Sequence, residues 1–240
     1  FGIHYPRVFD DPRPFDGNHT LFLRSLFIAN PETKRPNIVA GLDTPEAIAA
    51  ANASLLQHFQ QGFDACDAQT LLLSAEGAGH FDLETFRRLG EWLQGLGDEV
   101  RVIACLRHPR HALPSEIQQR LKTGSSLERM YQSPPYYKFR QLFSDVEQVF
   151  GAGAAVPYDF AVAQRHPGGL VGCFLEQLGL VGAEGFARDE WHNPRLSHEA
   201  TLILDALNRL RPLVKDGVLN PQRHRGDLQT IVQIPGRRYR

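Results

Sequence analysis

Cysteine, methionine and long apolar stretches are what this chain has least of. Its 240 residues hold three cysteines, one methionine and two tryptophans. Cys66, Cys105 and Cys173 lie far apart, are odd in number and form no Cys-x-x-Cys pair. That argues against a disulfide frame or a zinc site and predicts small buried thiols in a reducing compartment. No run of about 18 apolar residues occurs, so no membrane span is expected. The opening, Phe1-Gly2-Ile3-His4-Tyr5-Pro6-Arg7, has neither a charged n-region nor an apolar h-region, and a cytoplasmic location is expected. A formal net charge of −1 leaves no basic excess to neutralise phosphates. Nucleic acid is therefore not expected as a partner, and any anion site must be local.

What is present is the mixture of a globular domain, and with no repeat, low-complexity tract or linker a single domain over residues 1–240 is expected. The first forty residues, rich in proline, aspartate and asparagine, read mostly as loop, apart from a short apolar stretch at 21–29. Thr44 as N-cap, Pro45 at the first helical position and Glu46 in the first turn predict a helix from Thr44 to about Gly62. Thr70-Leu71-Leu72-Leu73-Ser74 reads as a strand buried on both faces. Leu83, Phe86, Leu89, Leu93 and Leu96 form an apolar stripe at three- and four-residue steps, predicting a helix over 82–96. A second buried strand covers 100–106. Further helices are expected at 110–122, 136–150 and 169–178, with a third strand at 154–158. The clearest amphipathic helix carries Leu196, Ala200, Ile203, Leu207, Leu210 and Val214 on one face.

Strand, helix, strand implies a parallel pair with a right-handed crossover, and the alternation as a whole predicts a three-layer α/β/α domain around a parallel sheet. Ligands of such sheets bind beyond the carboxyl ends of the strands. The expected exits carry Ser74-Ala75-Glu76-Gly77 and Arg107-His108-Pro109-Arg110. Arg107 leaves a strand directly into a helix, with Ser115 one to two turns further on. A guanidinium fork and a hydroxyl beside a helix N-terminus suit a dianionic phosphate. Equally compatible with these residues alone is a surface arginine paired with Glu116 beside a solvent-facing serine.

The wider pattern favours the first reading. Arg107-His108-Pro109-Arg110-His111-Ala112-Leu113-Pro114-Ser115, following Val102-Ile103-Ala104-Cys105-Leu106, resembles the 3′-phosphate-binding segment of sulfotransferases: strand, Arg-x-Pro-x-x-x-x-x-Ser, helix. The continuation Ser115 to Gly124 looks like the Ser-x-x-x-Gln-x-x-x-Lys-x-Gly stretch of bacterial members. Weaker matches are Leu72-Leu73-Ser74-Ala75-Glu76, Pro157-Tyr158-Asp159, Gly169 to Leu180, and Asn193-Pro194 leading to Leu207-Asn208-Arg209. The resemblance implies a P-loop-type nucleotide-binding fold and a co-substrate, 3′-phosphoadenosine 5′-phosphosulfate, whose 3′-phosphate Arg107 and Ser115 would hold. It also implies a first strand and a phosphate loop of the Lys/Arg-Gly-Thr/Ser-Thr/Ser type. No such loop occurs, and it is expected ahead of Phe1.

Sulfuryl transfer to a hydroxyl needs a base for the acceptor proton. The histidine used by cytosolic sulfotransferases has no counterpart after the Thr70 strand, so Glu76 is the candidate base by position, against a capping or ion-paired carboxylate. His19 is the second candidate, because bacterial members carry a recurrent histidine in a similar loop-rich region, and His80 follows the Glu76 turn. Arg237 and Arg238, in a late basic and glycine-bearing segment, are candidates for holding phosphate, against a solvated tail. No metal is required. The acceptor is expected to be a carbohydrate or other small hydroxyl compound, met by loops at 8–40 and 123–136 and by Tyr131, Tyr136, Tyr137 and Phe139. Two other readings stand beside this one: a P-loop kinase of small molecules, and a non-catalytic relative that kept the nucleotide-binding shell.

Overall fold

The computed structural model describes residues 2–8, 18–136, 138–180, 195–224 and 226–239. In chain order the elements begin with β1 (Ile3–His4), α1 (Thr20–Phe27), α2 (Arg35–Val39), α3 (Pro45–Asp64), β2 (Thr70–Leu71), α4 (Leu83–Gln94) and β3 (Val102–Leu106). They continue with α5 (Pro109–Lys122), α6 (Leu127–Gln132), α7 (Phe139–Phe150), β4 (Ala155–Asp159), α8 (Phe160–Arg165) and α9 (Gly169–Gln177). Last come α10 (His198–Leu210), β5 (Val214–Lys215), β6 (Val218–Leu219) and α11 (Asp227–Val232). The protein is mixed α/β. Among the described residues no helix is long and apolar enough to cross a membrane.

Helix starts follow side-chain capping. Thr44, Asp82 and Ser197 each accept the backbone N–H three residues ahead, at 3.1, 2.8 and 3.0 Å, and so open α3, α4 and α10. Residues 18–40 hold more helix than their proline content suggests. Pro36 stands in the first turn of α2, where a missing N–H costs nothing because that donor has no helical acceptor. Val214, expected on the face of the last helix, instead begins a hairpin. Asp216 and Gly217 take φ of 52° and 84° there, turning β5 into antiparallel β6.

The described residues form two compact units. The first comprises Phe1–Val100, Phe139–Gly151 and Val214–Leu219. Its core is aromatic: Phe22 of α1 stacks on Phe59 of α3 with centroids 5.7 Å apart, and Trp92 of α4 lies 5.0 Å from Phe59. Gly90 lets α4 approach α7, since a Cβ there would stand 2.7 Å from Val149 Cγ1. β1 and β2 form a parallel pair, Ile3 opposite Thr70 and His4 opposite Leu71.

The second unit comprises Arg101–Lys138, Ala152–Leu213 and Asn220–Arg240. Leu121 of α5, Met130 of α6, Leu196, Ala200 and Leu204 at and in α10, and Ile231 of α11 form its buried cluster. β3 and β4 run parallel over five residue pairs, from Val102 opposite Ala155 to Leu106 opposite Asp159. The expected pairing of the Thr70 strand with the Val102 strand is not found: β2 pairs with β1, and β3 with β4. The expected burial on both faces also fails, because Leu71, Leu72 and Leu73 are partly exposed and β3 is partly exposed along its length. Each parallel sheet has two strands among the described residues, so each strand is flanked on one side. The cysteines differ correspondingly from expectation: Cys173 is buried, Cys66 is half-buried and Cys105 is exposed.

Candidate functional site

At the carboxyl end of β3 the chain turns straight into α5. His108 caps the helix with its own ring, Nδ1 accepting the Arg110 N–H at 3.2 Å, and Pro109 occupies the first helical position. The exposed α5 N-terminus therefore follows Arg107 at once. Arg107 Nη1 lies 3.5 Å from Ser115 Oγ, a contact at the long end of hydrogen bonding. The guanidinium also rests over the ring of Phe160, its carbon 5.1 Å from the centroid. Phe160 opens α8 directly after Asp159, the residue opposite Leu106 in the sheet register. Two strand exits thus build one cationic corner.

Glu116 is not the partner of Arg107, although Ser115 is exposed as the alternative reading expected. Glu116 Oε1 accepts from Arg120 Nε at 2.6 Å, an i, i+4 pair on α5. Among the described residues no carboxylate pairs with Arg107, whose contacts are Ser115 and Phe160. A guanidinium with uncommitted donors, a hydroxyl and a helix N-terminus are the parts an oxyanion site needs.

One turn past Ser115, the Gln118 amide binds both backbone groups of Leu196, its Nε2 donating to the carbonyl and its Oε1 accepting the N–H, each at 3.1 Å. The late segment is tied to the same place. Ser197 Oγ donates to the Ile234 carbonyl at 2.9 Å, the His198 N–H to the Arg237 carbonyl at 2.7 Å, and Ser197 bridges Arg238. Arg237 is spoken for: its N–H and Nε donate to the Glu199 carboxylate at 2.8 and 3.2 Å. Glu199 is held below its ordinary pKa, first by its own backbone N–H and then by the side chain and backbone of Arg237. Gly236 is required at this clasp, since a Cβ would collide with the Glu199 carboxylate. The expectation for Arg237 is corrected accordingly, because its guanidinium binds an internal carboxylate. Arg238 is exposed, with no side-chain partner among the described residues.

In the first unit the carboxyl end of β2 carries Ser74 and Glu76. His19 does not serve as the second base expected from the sequence. It is fully buried, with Nε2 2.9 Å from the Pro6 carbonyl and Nδ1 accepting the Ser74 N–H at 2.9 Å. Both nitrogens are engaged, so His19 is a structural tie. Glu76 begins the 3₁₀ turn Glu76–His80, is exposed and has no side-chain partner among the described residues. His80 ends the same turn, exposed.

A third feature had no signal in spacing. Beside the end of β4 lies an open cleft of about 410 Å³ whose lining includes Tyr158, Asp159, Arg165, His166, Cys173 and Glu176. Most of its polar groups are internally satisfied. Asp159 Oδ1 caps α8 through the Ala161 and Val162 N–H groups at 2.7 and 2.9 Å. His166 accepts the Gly168 N–H at 3.0 Å and meets Glu176 Oε1 at 2.9 Å. Burial and a hydrogen bond to Cys105 push the Tyr158 hydroxyl up from its usual pKa.

Of the aromatic residues expected to meet an acceptor, Tyr131 and Tyr136 are exposed, and Phe139 opens α7 half-buried. Tyr137, and the matched pair Asn193-Pro194, lie outside the described residues.

No family model matches the chain, and neither a curated protein nor a solved structure does. The case for function therefore rests on the sites themselves.

Proposed function

We propose that the chain is the body of a sulfotransferase of P-loop type with a three-layer α/β/α sheet, acting on a hydroxyl of a carbohydrate or other small acceptor. The observation that carries this reading is the uncommitted Arg107 guanidinium, 3.5 Å from Ser115 Oγ at the start of α5. Arg107 and Ser115 would hold the 3′-phosphate of 3′-phosphoadenosine 5′-phosphosulfate, with Phe160 fixing the plane of the guanidinium. Arg238 is the late cation available to the same nucleotide, Arg237 being committed to Glu199. When bound, the nucleotide supplies the sulfuryl group: a sulfur–oxygen bond to the acceptor forms as the one to the 5′-phosphate breaks. Glu76, whose carboxylate has no internal partner among the described residues, takes the acceptor proton.

The test is a thermal-shift titration with 3′,5′-adenosine bisphosphate and with ATP. A ligand that binds the native state raises the melting temperature as its concentration passes its dissociation constant. Stabilisation by the bisphosphate, weaker stabilisation by ATP, and loss of the bisphosphate response in Arg107→Ala are expected. A Mg²⁺-dependent preference for ATP would favour the kinase reading. A bisphosphate response without sulfuryl transfer to any hydroxyl acceptor would favour a non-catalytic relative. An unchanged response in Arg107→Ala would overturn the site.

A further inference from the structure

Arg24 is a partly buried arginine of the first unit with no carboxylate partner among the described residues. It lies on α1, one turn after Thr20, and helical side chains lean toward the helix N-terminus. Its stem is therefore laid along the Glu76–His80 turn. Thr20 Oγ1 accepts the Gly77 N–H at 3.1 Å, and a Cβ added at Gly77 would stand 3.0 Å from Arg24 Cδ and collide with the Thr20 methyl. Glycine at position 77 is what lets the turn close on α1 and brings the Arg24 side chain against it.

Four other arginines are paired with carboxylates. Arg88 meets Glu84, Arg209 meets Asp205, Arg223 meets Asp227 and Arg237 meets Glu199, at 3.1–3.5 Å. Arg24 has no carboxylate, carbonyl or ring partner among the described residues, and burial alone pulls its pKa below the usual arginine value. Taking a charge part-way out of water with nothing to pair it is unfavourable, and a bound anion offsets that cost. A guanidinium is suited to a bidentate oxyanion, carboxylate or sulfate, more than to a neutral hydroxyl.

Glu76 is the residue immediately before Gly77. We infer that Arg24 is the receptor for an anionic group on the acceptor, a carboxylate or a sulfate ester, so that the acceptor is an acidic compound whose hydroxyl meets Glu76. The inference rests on the reading of Glu76 as the base of a sulfotransferase. It adds a class to the acceptor: a hydroxyl compound carrying a negative charge a short distance from the reacting oxygen.

The experiment uses the full chain saturated with 3′,5′-adenosine bisphosphate, so that the Arg107 corner is occupied. Three probes are titrated by calorimetry: methyl glucoside, methyl glucuronide and methyl glucoside 6-sulfate. At least one acidic sugar is expected to bind about tenfold more tightly than the neutral one, and which of the two does so separates carboxylate from sulfate. Arg24→Gln should bring the ratio near one, and Arg24→Lys should restore part of it. The bisphosphate response should be unchanged in both. In the wild-type protein, inorganic sulfate at constant ionic strength should compete with the favoured sugar, a test that needs no variant to fold. Equal binding of neutral and acidic sugars, a preference that survives Arg24→Gln, or no competition by sulfate would each overturn the inference. If the acidic preference depends on Arg24 but the bisphosphate never stabilises the protein, the anion site stands and the sulfotransferase reading falls.

Discussion

His19 and Ser74 hold each other twice: the His19 N–H donates to the Ser74 carbonyl at 2.7 Å, and the Ser74 N–H returns to His19 Nδ1 at 2.9 Å. With Nε2 against the Pro6 carbonyl, the ring fixes the loop after β1, the start of α1 and the exit of β2 at one buried point. His19→Ala would leave the Ser74 N–H and the Pro6 carbonyl without partners. A loss of about 2–6 kcal/mol is expected, from roughly 1–3 kcal/mol for each of the two orphaned groups. Urea denaturation measures it, and a loss below about 0.5 kcal/mol would make the tie incidental.

Gly77→Ala should be destabilising because its methyl meets Thr20 and Arg24. Overpacking of this kind costs about 1–3 kcal/mol. Thr20→Ala removes the methyl in the way, together with a hydroxyl that accepts the Gly77 N–H. A double-mutant cycle should therefore show coupling between the two substitutions, the pair being less damaging than their sum. Strict additivity would show that the contact does not matter.

The Asp82 carboxylate caps α4, and its pKa is lowered first by its bonds to the Thr85 hydroxyl and N–H. A depressed pKa in the folded state means stability that is present above the unfolded value and lost as the pH falls through the folded one. At pH 7, Asp82→Ala should cost about 0.5–2 kcal/mol, the usual range for a lost N-cap. Near pH 2 the difference between wild type and variant should shrink, because protonation has already weakened the wild-type cap. Chemical denaturation at the two pH values decides it, and a difference that grows on acidification has the wrong sign.

Phe160 lies under the Arg107 guanidinium. An exposed cation–π contact contributes about 0.5–1 kcal/mol, so Phe160→Leu should weaken bisphosphate binding roughly two- to fivefold. Arg107→Lys should weaken it further, since an ammonium on a flexible stem keeps the charge but loses the fork. Binding isotherms rank the two, and a leucine variant that binds as the wild type does would remove the platform from the site.

Local features were the legible ones. Thr44, Asp82 and Ser197 mark their helices because a cap is decided within three residues of chain. The Asp216-Gly217 hairpin was equally visible as an Asp-Gly pair with Val214-Lys215 before it and Val218-Leu219 after it, but Val214 completed a helical stripe and concealed it. Strand partners were not legible. The run from Leu71 to Leu73 signals a strand, but β2 stops at Leu71 because β1 offers it two residues, Ile3 and His4, nearly seventy positions earlier. Side-chain roles divided the same way. Glu116 and Arg120 are one helical turn apart, whereas the engagement of Arg237 by Glu199 and of His19 by Pro6 and Ser74 depends on segments that meet only in the fold.

Gln118 reads a neighbouring backbone as a β-strand would, donating and accepting at once toward Leu196. An uncharged amide is the side-chain group that offers both roles without a titrating proton, and glutamate, methionine or leucine at that position would each leave at least one peptide group of Leu196 stranded. Glutamine at position 118 therefore ties the entry of α10 to α5 through both backbone groups of Leu196.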